Sequence, residues 1–153
     1  MSTTDATDQV TAGAHYFLIT LGGAESAGFF KEVDGIASEN DVMVHTTSDK
    51  TGRSLVQKYP GQVKWNNITL KRGVDADNKL WAWRQLVIDG KIKEARKEVK
   101  IEVLDWEAKA LVTYSFINAW PCRYSAPGLS AGGNEVMVEE IEIAHEGMTR
   151  VAA

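Results

Sequence analysis

The residues best equipped for chemistry in this chain stand singly rather than in working sets. His145-Glu146 opens like a zinc-protease motif, but the position four residues after His145 is Thr149, so the second metal ligand is missing. Asp75-Ala76-Asp77 begins like a calcium loop, yet Leu80 stands where the sharp-turn glycine belongs and Leu86 where the bidentate glutamate belongs. Helix capping by Asp77 accounts for that stretch better. The acidic run Glu135, Glu139, Glu140 and Glu142 raises the possibility of paired-carboxylate hydrolysis. Strand alternation, however, puts Glu140 and Glu142 on one face and Glu139 on the other, the pattern of a solvated or channel-facing charge stripe. His15, His45 and His145 lie far apart and read as surface or core fillers. Cys122 alone offers neither a disulfide nor metal-ligand spacing, and reads as a small buried apolar residue beside Pro121. Gly128-Leu129-Ser130-Ala131-Gly132 spells Gly-x-Ser-x-Gly, but it lies in a Pro-, Gly-, Ser- and Ala-rich stretch expected to be irregular, without the strand-to-helix turn a nucleophile elbow needs, and there is no Gly-rich phosphate loop with a Lys-Ser or Lys-Thr ending. These absences point away from an enzyme and imply no cofactor and no metal.

Composition narrows the remaining classes. A chain of 153 residues with 44% hydrophobic content fits one domain spanning 1–153, which by size buries roughly two-thirds of its unfolded surface. The formal net charge of -4 argues against gripping a nucleic-acid backbone, which calls for clustered Lys and Arg. No apolar stretch approaches the roughly 20 residues of a membrane helix. Residues 1–12 are polar, with neither a basic start nor an apolar core of signal-peptide type, so synthesis in the cytoplasm is expected and Asn67-Ile68-Thr69 is a strand rather than a glycosylation site. Residues 1–14 are expected to form a flexible N-terminal arm.

The elements that position these residues are mostly strands. Val-, Ile-, Thr- and aromatic-rich runs recur between Gly, Pro, Asn and Asp clusters. They predict strands at His15 to Leu21, Phe29 to Val33 closed by Asp34-Gly35, Glu39 to Thr46, Val63 to Arg72, Val99 to Leu104, Leu111 to Ala119 and Glu135 to Ala144. Asp105-Trp106-Glu107-Ala108 connects two of these as a hairpin turn. In the last strand Val136 and Val138 share one parity and Ile141 and Ile143 the other, which predicts a bulge near Glu139-Glu140. One helix is expected from Asp77 or Asn78 to Asp89, with Leu80, Trp83 and Leu86 as its anchors, Trp81 and Ile88 on another face, and Gly90 as its left-handed stop. Thr47 to Gly61 is polar and longer than the usual connection of about 4 to 6 residues, so it reads as an extended interaction loop. The fold class that follows is mainly β: an antiparallel sandwich or partly closed barrel with one α-helix packed outside. Exposed strand edges in such a fold invite pairing with another chain.

Two blocks carry a family resemblance. The run Tyr59-Pro60-Gly61-Gln62-Val63-Lys64-Trp65-Asn66-Asn67-Ile68-Thr69-Leu70-Lys71-Arg72-Gly73 is followed by Leu80-Trp81-Ala82-Trp83-Arg84. Further on stand Phe116-Ile117-Asn118-Ala119-Trp120-Pro121, Gly133-Asn134-Glu135-Val136 and Glu142-Ile143-Ala144-His145-Glu146-Gly147. In order and spacing the chain, from 16 to 151, resembles the inner tail-tube proteins of contractile phage tails and contractile injection systems. The resemblance implies a structural subunit, a component of a phage tail or injection particle. Its sheets would join across six copies into a ring-shaped barrel, and homohexameric rings would stack around a channel for DNA or effector protein. It also implies sheath, baseplate and hub, and tape-measure partners. Within that frame, Lys50, Arg53, Lys58 and Tyr59 are candidates for contacts between subunits or rings. Glu39, Asp41, His45, Glu140 and Glu142 are candidates for facing the lumen. The helix around Trp81 and Trp83 supports the outer surface. Two alternatives stay open: a baseplate tube-initiator paralogue forming a single ring, and a monomeric small-ligand-binding β-barrel.

Overall fold

Inward alternation of Ile68, Leu70 and Arg72 on one strand, and of Glu139, Ile141 and Ile143 on its neighbour, shows how the molecule is built: strands with one apolar face curl around a shared core. The computed structural model describes residues 16–23, 25–74, 78–126 and 137–152. In chain order the elements are β1 (Tyr16–Leu21), β2 (Glu25–Phe30), β3 (Glu32–Asp34), β4 (Ser38–Ser48), β5 (Ser54–Trp65), β6 (Ile68–Gly73), α1 (Lys79–Ile88), α2 (Ile92–Ala95), β7 (Lys97–Leu104), β8 (Ala110–Ser125), β9 (Val138–Ala144) and β10 (Gly147–Ala152).

The main sheet is antiparallel, in the order β2-β1-β7-β8-β9-β6-β3, with β10 pairing the first half of β8. β2 and β3 follow one another in sequence yet lie at opposite ends of that order. The sheet therefore curls until its ends meet at Lys31, whose N–H donates to Lys71 O at 3.0 Å. The result is the partly closed barrel expected, filled by Ile19, Phe30, Ile101, Phe116 and their neighbours. Leu80 and Trp83 of α1 are buried in that core, with Leu86 packed at its margin. Trp83 Nε1 donates to Ala95 O at 2.6 Å, tying down the short α2 that the sequence did not announce. Gly90, at φ +79, ends α1, and the Asp105 carboxylate receives the Glu107 and Lys109 N–H groups in the β7–β8 turn.

One charged pair interrupts the apolar core. Arg72 and Glu139 face each other across the β6–β9 ladder, 5% and 7% exposed, with Arg72 Nε donating to Glu139 Oε1 at 2.5 Å. The guanidinium also donates to Ala27 O on β2 at 2.7 Å and lies over the Phe30 ring, 5.2 Å from its centroid. Tyr124 on β8 donates its hydroxyl to the second Glu139 oxygen at 2.7 Å, a bond that, with the proximity of the carboxylate and burial, holds the phenol above its ordinary pKa.

Several local expectations are corrected. The segment Thr47 to Gly61 is not a loop: only Asp49 to Arg53 turns, and β5 runs as a strand from Ser54. Pro60-Gly61 is not a turn but lies at a register shift inside β5, where Pro lacks only an N–H that an irregular ladder can spare. A Cβ at Gly61 would stand 2.9 Å from Asp41 O. The strand expected over Val63 to Arg72 breaks at Asn66-Asn67, and that over Phe29 to Val33 breaks at Lys31. The bulge expected at Glu139-Glu140 is absent. β9 pairs β6 in unbroken register, and the irregularity sits opposite, between Pro121 and Arg123 on β8. Glu139 therefore belongs to the inward parity of Ile141 and Ile143, not to a solvated stripe. Residues 1–14, Asp75, Asp77 and Glu135 lie outside the described residues.

Removing one member of the core pair strands the other. Arg72→Met is expected to lower unfolding free energy by about 3–5 kcal/mol, whereas Arg72→Met combined with Glu139→Met recovers most of that loss. Denaturant midpoints of the two single variants and the double variant check it; a double variant as unstable as the singles would contradict the account.

Candidate assembly surface

Among the described residues β4 and β5 pair only with each other, through ten residue pairs from Ser38↔Trp65 to Ser48↔Ser54, and stand outside the barrel sheet. Successive residues of a strand point to opposite faces, and here both faces are bare: Val42, Met43 and Val44 are 63%, 62% and 63% exposed. Leu55, Val56, Tyr59 and Val63 on β5 are exposed too. A lone two-stranded hairpin is marginal in water, and this one carries exposed apolar side chains on both sides.

The tip is built around Asp49. One of its carboxylate oxygens accepts from Thr51 Oγ1 at 2.6 Å and from the Thr51 and Arg53 N–H groups at 2.8 Å each. The bond from the Thr51 hydroxyl is the foremost reason its pKa sits below the ordinary carboxylate value. With that charge occupied locally, Lys50 and Arg53 make the tip cationic. Lys58 lies further down β5 opposite Val44, and Tyr59 opposite Met43, its hydroxyl donating to Gln57 Oε1 at 2.7 Å. The four candidate contact residues therefore share one hairpin, two at its tip and two along β5.

The five candidate lumen residues fall into two separate groups. Glu39, Asp41 and His45 are on β4, with Asp41 paired to Lys64 at 2.7 Å. Glu140 and Glu142 share the outward face of β9. Glu140 lies 3.7 Å from Arg123, and Glu142 accepts from Asn67 Nδ2 at 2.9 Å. Cys122 is half-buried where β8 shifts register, and burial pushes its thiol pKa up. Among the described residues no three His, Cys, Asp or Glu side chains are placed to share a metal ion.

A second unpaired feature adjoins the hairpin. β10 continues the line of β9 along β8, but on its other side no strand of the described residues pairs with it, because β5 leaves the sheet at Asn66-Asn67. Sequence periodicity missed this strand, as it missed the buried Arg72–Glu139–Tyr124 group. The signal for Glu139 was present, since it shares parity with Ile141 and Ile143.

A family model described as T4-like virus tail tube protein gp19 matches residues 13–149. The chain belongs to that family. It is thus a structural tail tube protein and not an enzyme, a component of a phage-tail-like particle. Among solved structures, the tail tube protein is similar to the tube terminating cap of the anti-feeding prophage, at 26% identity and TM-score 0.75, over 100% of both chains. It has the fold of a chain in the sheath-tube complex of an extracellular contractile injection system, PVC, in the extended state, at 24% identity and TM-score 0.75, over 100% of this chain and 99% of that one. It also shares its fold with Hcp1 from Flavobacterium johnsoniae, at 13% identity and TM-score 0.54, over 90% and 96%. None of the curated proteins matches the tail tube protein.

Because the Asp49 carboxylate is held in its charged form by the folded tip, its contribution is present at neutral pH and is lost as pH falls through and below the ordinary carboxylate range. Amide exchange at Thr51 and Arg53, followed by NMR on acidification, is expected to speed up beyond its intrinsic pH trend. In Asp49→Ala that extra step is expected to vanish.

Proposed function

We propose that this tail tube protein assembles as homohexameric rings that stack into the inner tube of a contractile tail or injection system, around a channel for DNA or protein cargo. The observation that carries the reading is the β4–β5 hairpin, apolar on both faces and, among the described residues, paired with no strand of the barrel, beside the edge of β10 that none of them pairs with. A second copy supplies what both lack: apolar cover for the hairpin and a strand for the edge. Lys50, Arg53, Lys58 and Tyr59 then lie in contacts between copies, and the outward carboxylates Glu140 and Glu142, with Glu39, Asp41 and His45, line the channel. A polar wall lets a charged polymer slide without sticking. Sheath, baseplate or hub, and tape-measure proteins are the further partners. The subunit is made in the cytoplasm and does not insert into membranes.

A second reading within the same class is a specialised ring that starts or ends the tube, favoured by the similarity to the anti-feeding prophage cap. A ligand-binding barrel gains no support, because Phe30, Phe116, Trp83 and their neighbours fill the barrel interior.

Magnitudes separate the contributors. An exposed ion pair is worth about 0–1 kcal/mol, whereas full burial of a Val side chain is worth about 1.5–3 kcal/mol. Val44→Asp with Val56→Asp is therefore expected to leave the barrel folded and abolish ring formation, while Lys50→Ala weakens it only slightly. Light scattering and negative-stain microscopy check both. Rings of undiminished yield from the double Asp variant, or a wild-type protein that stays monomeric at high concentration with sheath and baseplate proteins present, would overturn the reading. In intact, end-capped tubes, Glu142→Cys in a Cys122→Ser background is expected to react with a bulky thiol reagent far more slowly than Gln85→Cys.

A further inference from the structure

The hairpin leaves the barrel at a fork, and one side chain sits in it. The β6–β9 ladder ends at Ile68↔Ile143. Carried on residue by residue, the same register would set Asn66 opposite His145 and Val63 opposite Met148, so that β5 would lie along the free edge of β10. It does not. At Asn66-Asn67 β5 turns away to pair with β4, and the His145 ring occupies the space between the diverging strands. Its centroid is 5.9 Å from that of Trp65 at the hairpin base and 4.8 Å from that of Phe116 in the core. Nε2 lies 3.1 Å from Asn66 O, and since a carbonyl only accepts, Nε2 carries the proton. Nδ1 is buried without a hydrogen-bond partner among the described residues.

That unpaired nitrogen is informative. The ring stands between two aromatic rings and one of its nitrogens meets no polar side chain or carbonyl of the described residues, so its shape is what the position uses. The surroundings fix it from every side. Glu146 is held by Arg96 and by Asn118 Nδ2 at 2.7 Å, and its N–H donates to Ile117 O. Asn67 is held by Glu142, and across from it Gly35, at φ +88, packs so closely that a Cβ would stand 2.2 Å from Asn67 O.

We infer that His145 is a positioning residue, a wedge that keeps β5 off the β10 edge and sets the angle at which the hairpin leaves the barrel. The lever is long. Eleven residues of β4 at about 3.3 Å each reach about 35 Å, so a 10° change at the base moves the tip by about 6 Å, more than a packed interface tolerates. The wedge therefore decides whether the β10 edge stays open for another strand and where the tip meets its partner. Only this consequence for assembly rests on the proposed tube function; the wedge itself is a property of the single subunit.

The test is a pair of spin labels at Lys50→Cys, on the tip, and Lys91→Cys, on the body, in a Cys122→Ser background. Each labelled protein is diluted into excess unlabelled protein so that only distances within one chain are read. The parent is expected to give one narrow distance. His145→Ala is expected to broaden it or add a second population, as β5 moves toward β10, and His145→Phe, which keeps the ring and discards the hydrogen bond, is expected to restore the narrow distance. An unchanged distribution in His145→Ala would overturn the inference, as would His145→Phe behaving like Ala. If His145→Ala does not fold, Trp65→Ala opens the same fork from the exposed strand and is expected to broaden the distance in its place; an unchanged distance there would equally overturn it. Ring yield of the folded variants, measured separately, reports the assembly consequence: a shifted angle with normal rings would count against the tube contacts assigned to the hairpin and leave the wedge standing.

Discussion

The barrel depends on a charged pair buried where its two sheet ends meet. Arg72 reaches Glu139 across β6 and β9, Ala27 O on β2 and the Phe30 ring, so one side chain ties β2 to the β6–β9 ladder next to the backbone bond from Lys31 to Lys71. Through Glu139 the tie continues to Tyr124 on β8, and Tyr124 meets the edge of Trp81 on α1 at 5.2 Å between ring centroids. Such pairs give little net stability over a well-packed apolar alternative, and one guanidinium nitrogen here, Nη2, is buried without a hydrogen-bond partner among the described residues. What the pair does supply is direction. Only one register of β6 against β9 puts Arg72 opposite Glu139, and a slip of β6 by one residue would turn Arg72 outward, bring Thr69 and Lys71 inward and leave Glu139 buried without its partner.

With the hairpin as the proposed contact between copies, stability and assembly fall to two parts of the chain. The barrel and α1 hold nearly every buried apolar side chain, whereas the hairpin holds almost none and keeps its apolar residues bare. Changes in the hairpin can therefore alter association without unfolding the subunit. The connection between the parts is small: the Asn66-Asn67 bend, Gly35 beneath it and His145 in the fork.

Much of this was legible in the residues. Alternation located the barrel strands, Gly90 marked the end of α1, and the spacing of Leu80, Trp83 and Leu86 identified the face that meets the core. What escaped has a common physical cause. Alternation of Val42 and Val44 with polar neighbours marks β4 although both its faces are exposed, but in β5 Ser54, Gln57, Lys58 and Pro60-Gly61 break the pattern, so most of it reads like a loop, and β10, short and mostly exposed, carries no strand signal. Polarity likewise hid the buried pair: Glu139 shares the parity of Ile141 and Ile143, but its guanidinium partner stands on another strand, a pairing that periodicity does not report. Both failures fall where the chain answers to something beyond local burial: a distant strand in one case, an unoccupied surface in the other.

The charges along the hairpin make sense in the same terms. Lys50, Arg53, Lys58 and Lys64 add little affinity as exposed ion pairs. Yet a flat apolar hairpin beside an open strand edge is a template for indiscriminate pairing, and charged side chains on such an edge are what hinder it. Here the cations are interleaved with the apolar residues along β5, from Leu55 and Val56 through Lys58 and Tyr59 to Val63 and Lys64. A partner strand that shifts register would set these lysines against apolar surface or against one another, so the charges penalise the wrong alignment while the apolar residues supply the adhesion in the right one. A chain that must associate with many identical copies, and with each in one geometry only, needs both in the same strand.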